Sequence, residues 1–311
     1  MSWLEDLTQG DSESVGRKCA NLGELTRAGF QVPPGFALSL GAYETFLETS
    51  GAGDEIKRHL DGFDADPDEP KELSRFSEAA QAIRGIIEAK PMPGAIADEL
   101  AACYDGLCER TGIAAVPVAT RSAGPASHPG QYESYLNVSG HDAVVEGVKK
   151  VWSSTFNTRS LIARARKGLP LHHDPIGVAV ITMVDADAAG VMFTAEPTTA
   201  NSSRMVIEGS AGLGEIVVSG AVIPDNWTVD ATGFTVIERR LAPAASGEAS
   251  GAPIQCLTDD EVIAIARVGK LIEKHFGKPQ DIEWAVDRDS PEDPVFILQA
   301  RPETFRIDFR F

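Results

Sequence analysis

The sequence predicts an α+β (α/β) chain in two lobes, 1–180 and 181–311, with a cleft between them. Three observations carry this. Amphipathic helical stretches with a few strands fill the first part. Strands with one late helix fill the second. The chain also closes on two period-2 runs, Gln280–Val286 and Val295–Pro302, the mark of half-buried strands. Asp287 to Pro294 between them reads as a polar hairpin loop. A simple antiparallel register sets Glu283 opposite Gln299 and Asp281 opposite Arg301. Two carboxylates, an amide and an arginine on one face suit a hard cation plus a phosphate. They equally suit a solvated face with a cross-strand ion pair.

The elements follow in order. Gly16–Leu25 opens a short helix with Leu22, Leu25 and Ala28 on its apolar side, stopped by Gly29. Lys18 at its mouth is either solvated or a phosphate ligand. Val32-Pro33-Pro34-Gly35-Phe36 excludes helix and leads into a strand. Ala42–Thr49 starts a helix, and the acidic, proline-bearing stretch Asp54–Glu72 reads as an exposed connection. Leu73, Phe76, Ala80, Ile83 and Ile87 mark one amphipathic helix, and Ile96, Leu100, Cys103 and Leu107 another. Val116–Ser122 is a strand ending in Arg121, followed by a loop of small residues through Gln131 and a returning strand, Tyr132–Val138. Small residues let backbone N–H groups approach a phosphate, and Arg121 supplies fixed charge, although no Walker pattern is present. His128 in that loop is a surface residue or a phosphate neighbour. Asp142–Phe156 and Thr158–Lys167 are helices, the second capped by Asn157. Arg159, Arg164 and Arg166 read as its solvated basic face.

Ile176–Val184 is a buried strand. Gly190–Thr194 and Met205–Ser210 are strands, and Ala211–Glu215 is a glycine turn. Trp227–Asp230 and Phe234–Ile237 form a hairpin. Ala242–Ala252 reads as a loop rich in small residues. Thr258-Asp259-Asp260-Glu261 is a capping box opening a helix through His275 that Gly277 closes.

Composition limits the function. Hydrophobic residues make up 43% of 311, as in globular chains. Lys and Arg number 28 against 46 Asp and Glu, a net charge of −18. Such a surface repels nucleic acid and anionic membranes, so neither is expected as a partner. Any polyphosphate site must be a local basic pocket. Cys19, Cys103, Cys108 and Cys256 show no metal spacing and read as reduced thiols, which points to the cytoplasm. The N-terminus shows no signal peptide, and no apolar run reaches membrane-span length.

Five stretches, taken together and in order, resemble the N-terminal nucleotide-binding domain of the dikinases: pyruvate phosphate dikinase, phosphoenolpyruvate synthase and rifampicin phosphotransferase. They are Gly16–Leu25 with Val32–Phe36, Val118–Val138, Gly190–Pro197, Gly209–Gly220 and Ile282–Thr304. The resemblance implies an ATP-grasp-like fold that binds Mg-ATP, with a phosphate-binding first lobe and a metal- and nucleotide-binding second lobe. It implies transfer of the β-phosphoryl group to a histidine on a swivelling domain, giving AMP and phosphate. Carried over, Lys18, Arg121 and Arg301 would hold phosphates and act in catalysis. Glu283 and Gln299 would ligate Mg²⁺, with Asp281 beside them. The turn holding Ser127, Gly130 and Gln131 would cover the phosphates. Ile181, Met183 and Val184 would pass the adenine, and Glu215 belongs to the ATP-binding set.

Three departures qualify this. Arg17 and Cys19 replace small residues of the family's opening, which would narrow the phosphate entrance or add a contact. The Arg121–Gly130 loop is short, with Pro125 where pyruvate phosphate dikinase usually has arginine. None of the six histidines (His59, His128, His141, His172, His173, His275) lies in the family's phosphohistidine context. The expectation is therefore an ATP-binding component of a heteromeric enzyme. The resemblance then implies that a phosphohistidine partner would act in trans and pass the phosphoryl group to a small acceptor such as a phenol or pyruvate. The close of the chain after Arg301 fits a subunit such as that of phenylphosphate synthase, or a designed truncation. A nucleotide-sensing or scaffolding module, and an ATP-grasp ligase giving ADP, are the alternatives.

Overall fold

The computed structural model describes residues 1–124, 132–212, 214, 222–243, 255–291 and 293–303. The chain forms two compact units: Met1–Glu24 with Pro34–Met183, and Leu25–Pro33 with the chain from Val184 onward. The short stretch 25–33 thus belongs with the later residues, which its sequence does not signal. Both units carry antiparallel sheets flanked by helices, an α+β architecture as expected.

In the first unit the strands are β1 (Ser2–Trp3), β2 (Gly35–Leu38), β3 (Val118–Ala123), β4 (Ser134–Val138) and β5 (Gly177–Thr182), in spatial order β1-β2-β5-β3-β4. Helices α1 (Ser12–Val15), α2 (Arg17–Arg27), α3 (Leu40–Thr49), α4 (Ala52–His59), α5 (Leu73–Ala89), α6 (Gly94–Thr111), α7 (His141–Ser153) and α8 (Thr158–Arg166) complete the described helices up to residue 183. Phe36, Leu38, Val118, Val178 and Val180 put their side chains into one core with Tyr43, Phe46, Ile83, Val148 and Trp152. Each such fully buried side chain contributes about 1.5–3 kcal/mol.

Three expectations fail here. Asp54–Glu72 is not simply an exposed connection, because its start lies in α4. Ala52 and Ile56, four residues apart, are fully buried, so one apolar stripe anchors a helix whose other faces are charged. Arg164 is not solvated. Its side chain is 6% exposed, donates from Nη2 to the Thr155 carbonyl at 2.9 Å, and stands 5.1 Å from the Phe156 ring and 3.9 Å from Asp174. Ala28, expected on the apolar side of its helix, is exposed instead, one position beyond the end of α2.

In the second unit the strands are β6 (Ala188–Phe193), β7 (Arg204–Ala211), β8 (Asp225–Asp230), β9 (Thr235–Arg240), β10 (Gln280–Val286) and β11 (Val295–Pro302), in order β11-β10-β6-β7-β8-β9. Helix α9 (Asp259–Phe276) is capped as the sequence predicts. Thr258 and Glu261 satisfy each other's backbone N–H groups, and Gly277 closes the helix at φ +70°. Its Val262, Ile265, Ala266 and Ile272 pack with Met192, Ile207, Trp227, Ile282 and Trp284. Trp284 needs room across the neighbouring strands. A Cβ on Gly209 would stand 2.8 Å from its ring, so the glycine there serves packing.

Candidate functional site

Helix α9 packs on one face of the second unit's sheet, and the other face carries polar groups in register. β10 pairs with β11 so that Glu283 faces Gln299 and Asp281 faces Arg301, the register the sequence suggests. The alternation of β11 alone does not produce this face. Ile297 lies in the core, and strict period 2 would send Gln299 and Arg301 inward with it. The register shifts between Glu283 and Trp284. Trp284 pairs with Ile297, Glu283 pairs with Gln299, and Leu298 is the extra residue. This β-bulge flips the parity of β11 and turns Gln299 and Arg301 to the polar face, while Ala300 returns to the core.

The same face continues across the sheet. Glu283 is in register with Val191, Val191 with Glu208, and Glu208 with Asn226, whose Nδ2 donates to Glu208 Oε1 at 3.0 Å. Asp281 is in register with Phe193, and Phe193 with Val206. The sequence motifs do not single out Glu208, Val191 or Phe193 as site residues, although Val191 and Phe193 lie in the Gly190–Pro197 stretch. The alternation of Met205 and Ile207 inward with Val206 and Glu208 outward was the available signal.

Electrostatics distinguish the four central groups. Arg301 donates from Nε to Asp281 Oδ2 at 2.8 Å and from Nη2 to the same oxygen at 2.5 Å. The cross-strand ion pair is therefore present, and Arg301 reaches a carboxylate where the family role would have it meet a phosphate. Burial pushes the Asp281 carboxyl up from its ordinary range. Arg301 offsets part of that effect, and Glu283 adds to it. Gln299 is 6% exposed and makes no side-chain hydrogen bond with the described residues. A nearly buried amide oxygen beside a carboxylate matches the hard oxygen donors that Mg²⁺ takes, so the residues present fit that ion. At the end of β11 both carboxylate oxygens of Glu303 are buried, with no well-formed hydrogen bond. Burial, with further repulsion from Asp281 and Glu273, pushes its carboxyl up to about 7 against a partial offset from the Ala195 amide.

In the first unit, Lys18 lies in the first turn of α2 and Arg121 on β3. One glycine brings those elements together. Gly16 has φ +83°, and a Cβ there would stand 2.0 Å from the Ala123 carbonyl oxygen. The next residue, Arg17, donates its N–H to Gly124 O at 3.1 Å. The start of α2 is thereby held against the end of the strand bearing Arg121. Lys18 and Arg121 both act on the thiol of Cys19 between them. Burial, the larger effect, pushes that thiol up to about 12 while the two cations pull it down. Cys19 is fully buried and does not narrow a phosphate entrance; Arg17 is exposed.

Ile181 is buried on β5 and pairs with Gly35 and Ala119. The Met183 N–H is taken by the Pro117 carbonyl at 2.8 Å, so that amide is committed within the first unit, and the second unit resumes at Val184. Ser127, Gly130, Gln131 and Glu215 lie outside the described residues, as does His128.

Comparison with known proteins places these observations. Residues 12–308 match the family model of the pyruvate phosphate dikinase AMP/ATP-binding domain. A probable phosphoenolpyruvate synthase of Pyrococcus horikoshii is 35% identical over 98% of the chain, which covers 43% of that protein. Counterparts in Staphylothermus marinus and Methanocaldococcus jannaschii are 37% and 35% identical, over 97% and 98% of the chain and 41% and 26% of theirs. The chain thus spans less than half the length of these relatives. No helix among the described residues is long and apolar enough to cross a membrane. By motif order, by the nearly complete match and by these relatives, the chain belongs to the family of pyruvate phosphate dikinase AMP/ATP-binding domains.

Proposed function

We propose that this chain is the ATP-binding component of a dikinase-type phosphotransferase, moving the β-phosphoryl group of ATP to a histidine carried by a partner protein. AMP leaves, water takes the γ-phosphoryl group as phosphate, and the partner passes the remaining phosphoryl group from its histidine to a small acceptor, a phenol or a pyruvate-like compound. The observation that carries the reading is the bulged strand pair, which gathers Glu283, Gln299, Asp281 and Arg301 on one face. Glu283 and Gln299 would hold Mg²⁺, which supplies neutralisation of phosphate charge when bound. Arg301 binds a phosphate oxygen through the guanidinium edge that Asp281 leaves open, and Asp281 fixes its direction. Lys18 and Arg121 hold the remaining phosphates from the first unit, joined by the turn containing Ser127, Gly130 and Gln131 and by Glu215. Ile181, Met183 and Val184 border the base. Phosphoryl transfer needs positioning and charge neutralisation rather than a covalent group from this chain, and this set supplies both.

Product analysis tests it. The chain is incubated with Mg-ATP and a separately produced phosphohistidine domain of a phosphoenolpyruvate synthase, and phosphorus NMR follows the products. AMP and phosphate with phosphohistidine on the partner are expected. ADP as the product would assign the chain to ligase-type chemistry instead. ATP binding by the chain, with the assembled pathway's activity left intact by Glu283→Ala, would reduce it to a nucleotide-sensing or scaffolding module.

A further inference from the structure

The outward side of α9 carries a second charged constellation, remote in kind from the carboxylate-rich strand face. Arg267, Leu271, Lys274 and His275 follow one another at helical spacing on its exposed stripe, and Lys278 continues the stripe beyond the cap. Leu271 is 57% exposed. It forms a ridge with Lys274 between two grooves. One, of about 810 Å³, is lined by Phe234, Arg267, Lys270, Lys278 and Pro279 among others. The second, of about 520 Å³, is lined by Phe30, Val268, His275 and Val295 among others.

Four cations, Arg267, Lys270, Lys274 and Lys278, gather at the larger groove. The chain carries −18 overall, yet from Gly168 to its C-terminus it has only three lysines, Lys270, Lys274 and Lys278. All three line the larger groove, and Arg267 joins them, its guanidinium 5.7 Å from the Phe234 ring. Glu273 takes up part of this charge by accepting from Lys270 at 2.7 Å, and Asp293 borders the smaller groove. The helix dipole accounts for cations in the last turn only and does not reach Arg267. Exposure alone does not set Leu271 apart, since Ile223 is more exposed; its place on a ridge between two cation-lined hollows does. A cation-rimmed apolar ridge flanked by hollows is the pattern of a protein contact, in which a central apolar anchor is ringed by complementary charge.

We infer that the outward face of α9 docks a partner protein through an acidic segment, whose apolar residues seat around Leu271 while its carboxylates meet Arg267, Lys274 and Lys278. This surface is separate from the nucleotide reading and stands or falls without it. A partner of this charge is repelled by the rest of the molecule, so the ridge also sets where it lands.

The test is selection of random displayed peptides of about 16 residues, long enough for about four helical turns. They are selected on the full chain and counter-selected on two variants, Leu271→Asp and the pair Lys274→Glu with Lys278→Glu. These positions are solvent-exposed, so both variants should melt within about 2 °C of the parent and bind Mg-ATP equally. The expected result is enrichment of peptides with an excess of Asp and Glu around Leu, Ile or Phe. Binding should fall about tenfold, roughly 1.4 kcal/mol, on each variant. Three results overturn the proposal. They are no enrichment, enrichment that survives on both variants, and binding that polyphosphate abolishes while Leu271→Asp leaves it unchanged. The last would assign the face to free polyanions.

Discussion

The two units gather their charged groups by opposite means. In the first, a close backbone approach does it: Gly16 lets the start of α2 lie against the end of β3, and Lys18 and Arg121 come with those elements. In the second, a register shift does it. The bulge at Leu298 turns Gln299 and Arg301 from the core parity of β11 to the face of Glu283 and Asp281. A steric approach tolerates no added atom, whereas a bulged ladder tolerates side-chain changes and loses only the group removed. The contrast teaches where a substitution should break folding outright and where it should cost only what the removed group contributed.

The largest effect is expected at Gly16. Valine there meets both the Ala123 carbonyl and a positive φ, so Gly16→Val should destabilise by about 3 kcal/mol or more. Urea unfolding with a probe reporting on Trp152 in the first unit would register it. A change under about 1 kcal/mol would mean that the approach is not tight.

Next comes the ion pair. Arg301→Met leaves Asp281 largely buried beside Glu283 with its counter-charge gone, a cost of about 2 kcal/mol for this partly exposed pair. Restoring neutrality with Asp281→Asn in the same chain should recover more than half of it. A double-mutant cycle in thermal or urea unfolding measures this, and strict additivity of the two changes would contradict the coupling.

The smallest effect concerns pH. The folded-state pKa of Glu303 is raised from its ordinary value near 4.5 to about 7. The folded protein therefore holds a proton there that the unfolded chain releases. Stability from this group is complete below about pH 4.5 and is lost as pH rises through about 7. Glu303→Gln should flatten that part of the stability–pH curve and leave the variant slightly more stable than the parent at pH 8, by on the order of 1 kcal/mol after solvent screening. Parallel curves for the two proteins would show that Glu303 does not titrate in this range.

The sequence displays much of this contrast, though unevenly. The alternation of β10, the capping box at Thr258 and the stop at Gly277 are local signals that act over a few residues, and a simple antiparallel register already sets Glu283 opposite Gln299 and Asp281 opposite Arg301. The bulge has no such signal. Val295, Phe296, Ile297 and Leu298 are all apolar, so nothing in that run marks the position where parity changes. Burial of Arg164 is hidden for a similar reason: a basic stripe on a helix looks solvated until Thr155, Phe156 and Asp174 are placed around it. α4 was lost among acidic residues because two buried side chains suffice to anchor eight. The approach of α2 to β3 joins residues more than a hundred positions apart, and Gly16 alone hints at it. The family match supports the nucleotide role of this chemistry, while the ligand assignments rest on the faces that these long-range contacts create.

The central claim is that Glu283 and Gln299 share a magnesium ion that ties nucleotide to the bulged strand pair. Calorimetric titration of ATP into the full chain, with and without Mg²⁺, and into Glu283→Ala, tests it most directly. The account predicts tight binding that depends on Mg²⁺ and falls by about a hundredfold, roughly 2.7 kcal/mol, in the variant while its melting temperature stays within a few degrees. Equal affinity with and without Mg²⁺, or an unaltered affinity in Glu283→Ala, would contradict it.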